Sequence, residues 1–239
     1  MNSKSPVQIK AVVFDLFSTL TSLTQLPDAP GRYSHEILGV DPNKWREAVF
    51  NQSRDRLVGN ITDPVEIVRD IAWKIDPTIS EEILEETTRE RRIRFRYCLE
   101  KPPVGVIDSI RAIKEAGYPL ALVSNADAVE IEAWADSELG SLFDETIFSC
   151  HVGYMKPEPE IFQICLDRLG LEAADCLYVG DGGNDELIAS GQAGMHAVLT
   201  TQFLSTSWPE KIEERKKTVN YHIGNLNEVL PLIDRLHQN

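Results

Sequence analysis

The chain has 239 residues, of which 42% are hydrophobic and 26% charged, so it can bury a sizeable core as one large domain or as a core domain with a smaller insert. Its net charge of −14 argues against non-specific binding to nucleic acid or to anionic membranes, since both require a positive surface field. An anionic substrate would need local compensation from a metal ion, a lysine or a helix N-terminus.

Targeting and redox signals are sparse. The N-terminal stretch "MNSKSPVQIK" lacks the apolar core of a secretory signal, and no apolar run approaches the roughly 20 residues that span a bilayer. The cysteines, Cys98, Cys150, Cys165 and Cys176, show no CxxC spacing, which favours reduced thiols over a zinc site or disulfides. We predict a cytoplasmic protein, monomeric or homodimeric, that binds neither membranes nor nucleic acid.

The first predicted strand runs from Ile9 to Phe14, and a long helical tract follows it. Pro and Asp punctuation and helical periodicity predict three helices there, at about Pro42–Val58, Pro64–Lys74 and Ser80–Leu99. The basic stretch "RERRIRFR" continues the third helix. Four-residue spacing predicts that Glu85 faces Arg89 and that Glu90 faces Arg94, so this stretch is interpreted as a charged helix and not as a nucleic-acid patch.

From "KPPVG" onward, helices and strands alternate. The predicted elements are, in order, helix Val104–Ala116, strand "PLALVS", helix Asp127–Leu139, strand "ETIFSC", helix Pro159–Leu169, strand "CLYVG", helix Asp185–Ala193 and strand "HAVLT". This alternation predicts an α/β fold with a parallel sheet covered by helices on both faces. The helical tract interrupts the pattern, so we predict a core of residues 1–20 and 100–239 and an inserted helical subdomain of residues 21–99.

Polar side chains stand where the predicted strands end. Asp15 ends the first strand, Ser124 the second, and Asp181 a later one. Because the carboxyl ends of parallel strands share one edge of a sheet, where open α/β folds bind ligands, these residues are predicted to meet. Lys156, just before a helix, is expected at the same edge. Each residue alone is also typical of a helix cap, a turn or a solvated loop.

These residue types suit phosphoryl chemistry. Asp15 can attack phosphorus as a nucleophile and form an aspartyl-phosphate. Asp181, with Asp185 behind it, can hold a hard divalent cation, and Mg²⁺ is favoured because it takes a few carboxylates plus substrate phosphate and water. The cation and the Lys156 ammonium would neutralise the carboxylate and the phosphoryl group, which otherwise repel each other.

Further groups at this edge can hydrogen-bond the transferring oxygens, namely the Ser124 hydroxyl and the backbone amides of Thr19 and Asn125. The stretch "GDGGND" provides a tight turn that lets the backbone approach closely. Its alternative reading, a degenerate dinucleotide-binding loop, departs from G-x-G-x-x-G because Asp185 occupies the last glycine position.

Taken in order, "FDLFSTL", "LVSNA", "MKPEPEIF" and "VGDGGNDEL" make nearly the whole chain resemble the haloacid dehalogenase-like hydrolase superfamily. The resemblance implies a Rossmann-like parallel core and a helical cap inserted after the first motif. It also implies roles for single residues: the nucleophile Asp15, the phosphoryl ligands Thr19 and Ser124, Lys156 fixing nucleophile and phosphate, and a Mg²⁺ site made by Asp15, the Phe17 main-chain carbonyl, Asp181 and a supporting Asp185.

Phe17 departs from this pattern. Phosphatases that the chain resembles usually carry a second aspartate there, which protonates the leaving alcohol and then activates water; losing such a group typically lowers the rate by about 10²–10⁴-fold. One explanation is dehalogenation, because dehalogenases of the superfamily have an aromatic residue at this position and need no metal. Their last motif, however, carries Ser and Asn where this chain has Gly180 and Gly182.

A second explanation is phosphoryl transfer from a substrate with a good leaving group, or with an acid supplied by the substrate or by the cap, where Tyr33 and His35 are candidates. A third is a catalytically silent relative that binds a metal, a phosphorylated ligand or a partner protein. Because the last motif is of the phosphatase type, we predict a Mg²⁺-dependent phosphoryl hydrolase or transferase acting on a small phosphorylated metabolite. Dehalogenation is the first alternative and silent binding the second.

Overall fold

A six-stranded parallel sheet organises the protein, whose computed structural model describes residues 7–23, 28–51 and 54–238. The strand order is β3-β2-β1-β4-β5-β6, and every neighbouring pair is parallel. The strands are β1 (Ala11–Phe14), β2 (Leu120–Ser124), β3 (Glu145–Phe148), β4 (Cys176–Gly180), β5 (His196–Thr200) and β6 (Tyr221–Ile223). This confirms the predicted α/β class.

The helices flank the sheet or connect its strands. They are α1 (Ser34–Leu38), α2 (Pro42–Asn51), α3 (Arg54–Leu57), α4 (Pro64–Ala72), α5 (Glu81–Glu100), α6 (Val106–Glu115), α7 (Glu138–Ser141), α8 (Ser149–Val152), α9 (Pro159–Leu169), α10 (Glu186–Gln192), α11 (Leu204–Ser207), α12 (Ile212–Lys216) and α13 (Val229–His237). Within the described residues, no helix is both long and apolar enough to cross a bilayer.

The apolar run of β1 explains why helices cover both faces. All four of its residues are buried, and alternate side chains point to opposite faces of a strand. Val12 and Phe14 pack in the cluster that contains α6 and α13, whereas Ala11 and Val13 pack in the cluster that contains α9 and α10. A strand buried on both faces in this way requires the continuous hydrophobic sequence that "AVVF" supplies.

Helices α1 to α5 lie between β1 and β2 and enclose a hydrophobic cluster of their own. Trp45, Ile67, Leu84 and Phe95 are among its buried members. Phe17, just after β1, packs against both this cluster and the cluster of the sheet. Where one helix is predicted for residues 42–58, the structure has α2 and α3, with residues 52 and 53 outside the described part of the chain.

The predicted helix Asp127–Leu139 is wrong. Residues 128–136 instead form successive turns, with bonds such as Glu130 N–H to the Asp127 carbonyl at 3.1 Å, and only Glu138–Ser141 are helical. Val129 packs with the cluster of α1 to α5, whereas Ile131 and Trp134 pack with the cluster of the sheet. Because its side chains are buried in two different cores, this segment has no single apolar stripe of the kind that orients an amphipathic helix.

Four buried charges join α3 and α5 to the segment after β2. Arg56 Nη1 donates to Asp127 Oδ2 at 2.6 Å, and Arg91 Nη2 donates to Glu130 Oε1 at 2.7 Å, with longer cross-contacts of 3.3 and 3.5 Å. Each residue is at most 8% exposed. Burial and the neighbouring Asp127 carboxylate raise the pKa of Glu130. These four residues are called the buried charge cluster below.

The sequence predicts that the basic stretch of α5 pairs within its own helix, but arginines in it also bind residues outside that helix. Arg91 belongs to the buried charge cluster, and Arg92 pairs with Glu132 of the turn segment. Arg94 lies over the Tyr33 ring, 4.0 Å from its centroid, and donates to the Gly31 carbonyl. Each of these three arginines therefore contacts a part of the protein outside α5.

Removing Asp127 should cost far more stability than removing an exposed carboxylate. We expect Asp127→Ala to lower the free energy of unfolding by about 3–5 kcal/mol, because Arg56 and Arg91 would keep buried charges without their shared partner. Glu132→Ala removes the partner of an exposed arginine and should cost less than about 1 kcal/mol. Urea unfolding of both variants measures the difference. Equal costs would contradict a role for the buried charge cluster in holding the fold together.

Candidate functional site

Asp15 lies at the carboxyl end of a central strand. Its N–H donates to the Val179 carbonyl of β4 at 3.0 Å, which continues the pairing of β1 and β4 by one residue. The following loop turns back because the Leu16 carbonyl accepts the N–H of Leu20 at 2.8 Å. The turn brings Thr19 Oγ1 to 2.9 Å from Asp15 Oδ2, to which it donates. Asp15 is 6% exposed, so the fold holds this carboxylate away from most solvent.

Lys156 reaches the same carboxylate from the loop before α9. Its Nζ donates to Asp15 Oδ1 at 2.5 Å, to Glu186 Oε2 at 2.5 Å and to the Tyr178 hydroxyl at 3.1 Å. An ammonium carries three N–H donors, so these contacts account for all of them. Lys156 is 2% exposed. The sequence prediction that Lys156 and Asp15 meet is therefore matched by the geometry.

Asn125 holds the backbone of Lys156 in place. The Asn125 side-chain amide donates to the Lys156 carbonyl at 2.9 Å, and its side-chain oxygen accepts the Lys156 N–H at 2.7 Å. This paired contact joins the end of β2 to the loop before α9. The Asn125 side chain, which the sequence analysis did not use, thus orients the lysine; the predicted contact of the Asn125 backbone amide with a phosphoryl oxygen stays a prediction.

Three buried carboxylates converge on one point. Asp15, Asp181 and Glu186 each offer an oxygen atom, and these atoms lie within 4.8 Å of one another, a set that can hold a metal ion. Asp185, predicted to support Asp181, is exposed and is not part of this set. The neighbouring Glu186 stands in the cluster instead. Glu186 has no distinguishing signal in the sequence because the two acidic residues adjoin, and the first turn of α10 decides which one points inward.

Gly180 leaves room for the Glu186 side chain, and Gly182 forms a hydrogen bond with it. A Cβ at Gly180 would lie 2.3 Å from Glu186 Oε1, so no side chain fits at this position while Glu186 is in place. The Gly182 N–H donates to the same Oε1 at 3.0 Å. Gly182 has a φ of +86°, a conformation that glycine adopts without strain. The backbone of "GDGGND" therefore approaches the Glu186 side chain closely, as the glycines of this stretch predict.

Negative charge is in excess at this site. Burial and the charge of Glu186 raise the pKa of Asp15 from 3.8 to about 7, although Lys156 opposes the shift. Burial and Glu186 likewise raise the pKa of Asp181 to about 6, against the opposing effect of Arg215. Burial acts to lower the pKa of Lys156, but the Asp15 and Glu186 carboxylates outweigh it and raise that pKa. A bound cation would relieve the repulsion among the carboxylates.

Ser124 contributes a buried polar atom without a partner. It ends β2, next to β1, and is 1% exposed. Its Oγ is one of the few buried side-chain atoms that make no hydrogen bond within the described residues. A buried hydroxyl without a partner is costly, so such an atom in a native fold calls for an acceptor or donor that is supplied from outside the chain. A ligand oxygen at the strand ends would satisfy it.

Phe17 has a packing role. It is half-buried, and its ring meets the Phe95 ring of α5 edge to face, with centroids 5.7 Å apart. The candidate acids Tyr33 and His35 face each other at a centroid distance of 5.7 Å, and Tyr33 also lies under Arg94. At residue 17, where the phosphatases that the chain resembles carry an aspartate, this chain has an aromatic side chain that joins the end of β1 to α5.

Known proteins match between about half of the chain and nearly all of it. The curated glyceraldehyde 3-phosphate phosphatase of Methanothermobacter thermautotrophicus is 29% identical over 140 residues, which cover 56% of the chain and 61% of that phosphatase. The next two curated relatives are each matched over 50% of their own length, so the chain spans about half to three fifths of these relatives. The (S)-2-haloacid dehalogenase 1 of Pseudomonas sp. (strain CBS-3) is 24% identical over 236 residues, 96% of the chain and 99% of the dehalogenase.

A solved L-2-haloacid dehalogenase shares the fold, with a TM-score of 0.68 at 18% identity over 95% of the chain and 99% of that protein. The family model described as haloacid dehalogenase-like hydrolase matches residues 9–194, which include Asp15, Ser124, Lys156 and Asp181. This match spans more than half of the chain and agrees with the resemblance found in the four motifs. The chain therefore belongs to the haloacid dehalogenase-like hydrolase family.

Proposed function

We propose that the protein hydrolyses or transfers a phosphoryl group from a small phosphorylated metabolite, with Mg²⁺ as cofactor and Asp15 as the nucleophile. One observation carries this proposal. Lys156 and Thr19 hold the two oxygens of the Asp15 carboxylate, while the Asp181 and Glu186 carboxylates offer oxygens within 4.8 Å of it. A nucleophilic carboxylate beside an all-oxygen ligand set is what metal-assisted attack on phosphorus requires.

The residues at this site fit Mg²⁺. The ion prefers a few carboxylates together with water and substrate phosphate, and Asp15, Asp181 and Glu186 supply only oxygen. When bound, Mg²⁺ would neutralise charge on the phosphoryl group and draw it towards the nucleophile. The Phe17 main-chain carbonyl stays a predicted ligand, whereas Asp185, which the resemblance implies as a supporting residue, has an exposed side chain outside this set.

The residues of the chain would act in a simple order. Lys156 and Thr19 fix the direction of the Asp15 carboxylate, and Ser124 Oγ donates to a phosphoryl oxygen. An Asp15 oxygen then attacks phosphorus, so that the new O–P bond forms as the bond to the leaving oxygen breaks. Water later attacks the phosphorus of the aspartyl-phosphate and releases phosphate, which restores the Asp15 carboxylate.

Phe17 narrows the choice of substrate. It carries no proton for the leaving oxygen, so esters of acidic alcohols, acyl phosphates and other good leaving groups should react faster than alkyl phosphates. The helical segment of residues 21–99 would act as the cap that encloses the substrate, over a core of residues 1–20 and 100–239. The separate hydrophobic cluster of α1 to α5 supports this division, and the buried charge cluster and Phe17 join the two parts.

Dehalogenation of a 2-haloacid is the second candidate. The aromatic Phe17 favours it, because a halide leaves without a proton, and the Pseudomonas dehalogenase matches nearly the whole chain. Two observations weigh against it. The three-carboxylate set suits a cation that dehalogenation does not need, and the space at Gly180, where dehalogenases of the superfamily carry Ser, is filled by Glu186.

A substrate screen tests the choice between these functions. Phosphate esters, acyl phosphates, phosphonates and 2-haloacids should be assayed with and without Mg²⁺, measuring phosphate and halide release. We expect Mg²⁺-dependent phosphate release from good leaving groups, and its loss to the uncatalysed level in Asp15→Asn. Halide release without Mg²⁺ would instead establish the dehalogenase, and residual turnover by Asp15→Asn would place the nucleophile elsewhere.

Glu186 and Asp185 provide a matched pair for the metal site. Calorimetric titration should show that Glu186→Gln weakens Mg²⁺ binding by at least about tenfold and that Asp181→Ala abolishes it, since each removes a carboxylate of the buried set. Asp185→Asn alters an exposed neighbour and should change the affinity by less than about threefold. If Asp185→Asn were the more damaging variant, the ligand set implied by the resemblance would be right and the set seen in the structure would be wrong.

Phe17→Asp tests the missing general acid. The new carboxylate would stand where the leaving oxygen needs a proton, so the rate with an alkyl phosphate should rise, by up to about 10²-fold, and by more than the rate with an aryl phosphate. Loss of the contact with Phe95 will offset part of the gain, and Phe17→Leu controls for that loss of packing. Equal changes for both esters would contradict the leaving-group argument.

A further inference from the structure

Arg215 touches the candidate metal site from outside the region that defines the family. It belongs to α12, whereas the family model ends at residue 194. Arg215 Nη1 donates to the Asp181 carbonyl at 2.5 Å and to Asp181 Oδ2 at 3.0 Å. The side chains of Arg215 and Asp181 are only 16% and 10% exposed, so this ion pair is largely shielded from solvent.

The stem of Arg215 is built into the turn after β4. A Cβ placed on Gly182 would lie 3.0 Å from Arg215 Cδ and 3.4 Å from its Cγ, so the methylene groups of the arginine lie directly over this glycine. The guanidinium is therefore held at Asp181 by packing of its stem as well as by its hydrogen bonds. Such a contact is more specific than an exposed salt bridge, whose side chains pay entropy to stay together.

Two cations divide the three carboxylates between them. Lys156 bonds to Asp15 and Glu186, and Arg215 bonds to Asp181. Arg215 thus supplies positive charge at the carboxylate that the ammonium of Lys156 does not reach. A divalent cation that binds the set of Asp15, Asp181 and Glu186 must approach this guanidinium and share Asp181 with it.

We propose that Arg215 is a positioning residue that competes with the divalent cation for Asp181 and thereby weakens the affinity of the site for Mg²⁺. This inference rests on the proposed Mg²⁺-dependent function. Like charges in a largely buried site repel more strongly than in water, so a fixed guanidinium next to a ligand carboxylate opposes a second cation. Because Arg215 already neutralises the charge of Asp181, a bound Mg²⁺ relieves less repulsion among the carboxylates, and its binding free energy is less favourable.

Asp181 has a second hydrogen bond that does not depend on Arg215, which makes the sign of the effect testable. Asp181 Oδ1 accepts the Gly183 N–H at 2.8 Å, a contact that does not involve Arg215. Loss of the arginine therefore removes a competing charge but leaves the carboxylate in place. If Arg215 mainly oriented Asp181 for the metal, its removal would have the opposite effect and would weaken Mg²⁺ binding.

The test compares Mg²⁺ affinity in the full chain by calorimetry at fixed pH and ionic strength. We expect Arg215→Met, which keeps an apolar stem over Gly182, to bind Mg²⁺ at least about tenfold more tightly than the wild type. Arg215→Lys keeps the charge and should stay within about threefold of the wild type. Lys217→Met removes an equal charge from the exposed residue that follows the same helix and should likewise change the affinity by less than about threefold.

A second readout does not depend on the heat of binding. The rise in melting temperature on adding MgCl₂ should be larger for Arg215→Met than for the wild type and for Lys217→Met, because tighter binding to the folded state stabilises it more. Equal or weaker Mg²⁺ binding by Arg215→Met would overturn the inference alone. Absence of Mg²⁺ binding in every variant would overturn the proposed Mg²⁺-dependent function and the inference with it.

Discussion

The site depends on the hydrogen bonds that the buried Lys156 ammonium donates to the Asp15 and Glu186 carboxylates. Lys156 lies 141 residues from Asp15 and 30 residues from Glu186 in sequence, yet it donates to both carboxylates at 2.5 Å. Without this cation, two carboxylates would lie close together in a site that excludes most water, a costly arrangement. The paired hydrogen bonds of Asn125 and the absence of a side chain at Gly180 both serve this contact, since one places the lysine and the other leaves space for Glu186.

Phe17 links this site to the helical segment between β1 and β2. Its ring contacts Phe95, whose face lies 4.7 Å from the guanidinium carbon of Arg91, and Arg91 in turn bonds to Glu130 in the buried charge cluster. The position at which phosphatases of the superfamily carry an acid is therefore part of a continuous set of packing contacts. The residue that replaces this acid thus also packs the helices on the sheet, through its contact with Phe95.

Similarity alone does not separate the two chemistries that this family performs. A phosphatase and a dehalogenase are both among the curated relatives, at 29% and 24% identity. The preference for phosphoryl chemistry rests on the carboxylate of Glu186, which stands with those of Asp15 and Asp181 in one all-oxygen set, and on the space that it fills at Gly180.

The sequence by itself determined the α/β class and the meeting of Asp15 with Lys156 at one sheet edge, because strand patterning and right-handed crossovers bring the ends of parallel strands together whatever the details of packing. The tertiary structure alone decided which acid of the pair Asp185 and Glu186 turns inward, since that depends on the backbone conformation of one turn and on free space at Gly180 on the preceding strand. It likewise revealed Arg215, because a partner 34 residues from Asp181 has no local signal. The helix predicted for residues 127–139 failed for the same reason: two separate cores compete for its side chains, and periodicity within one segment does not register contacts made elsewhere.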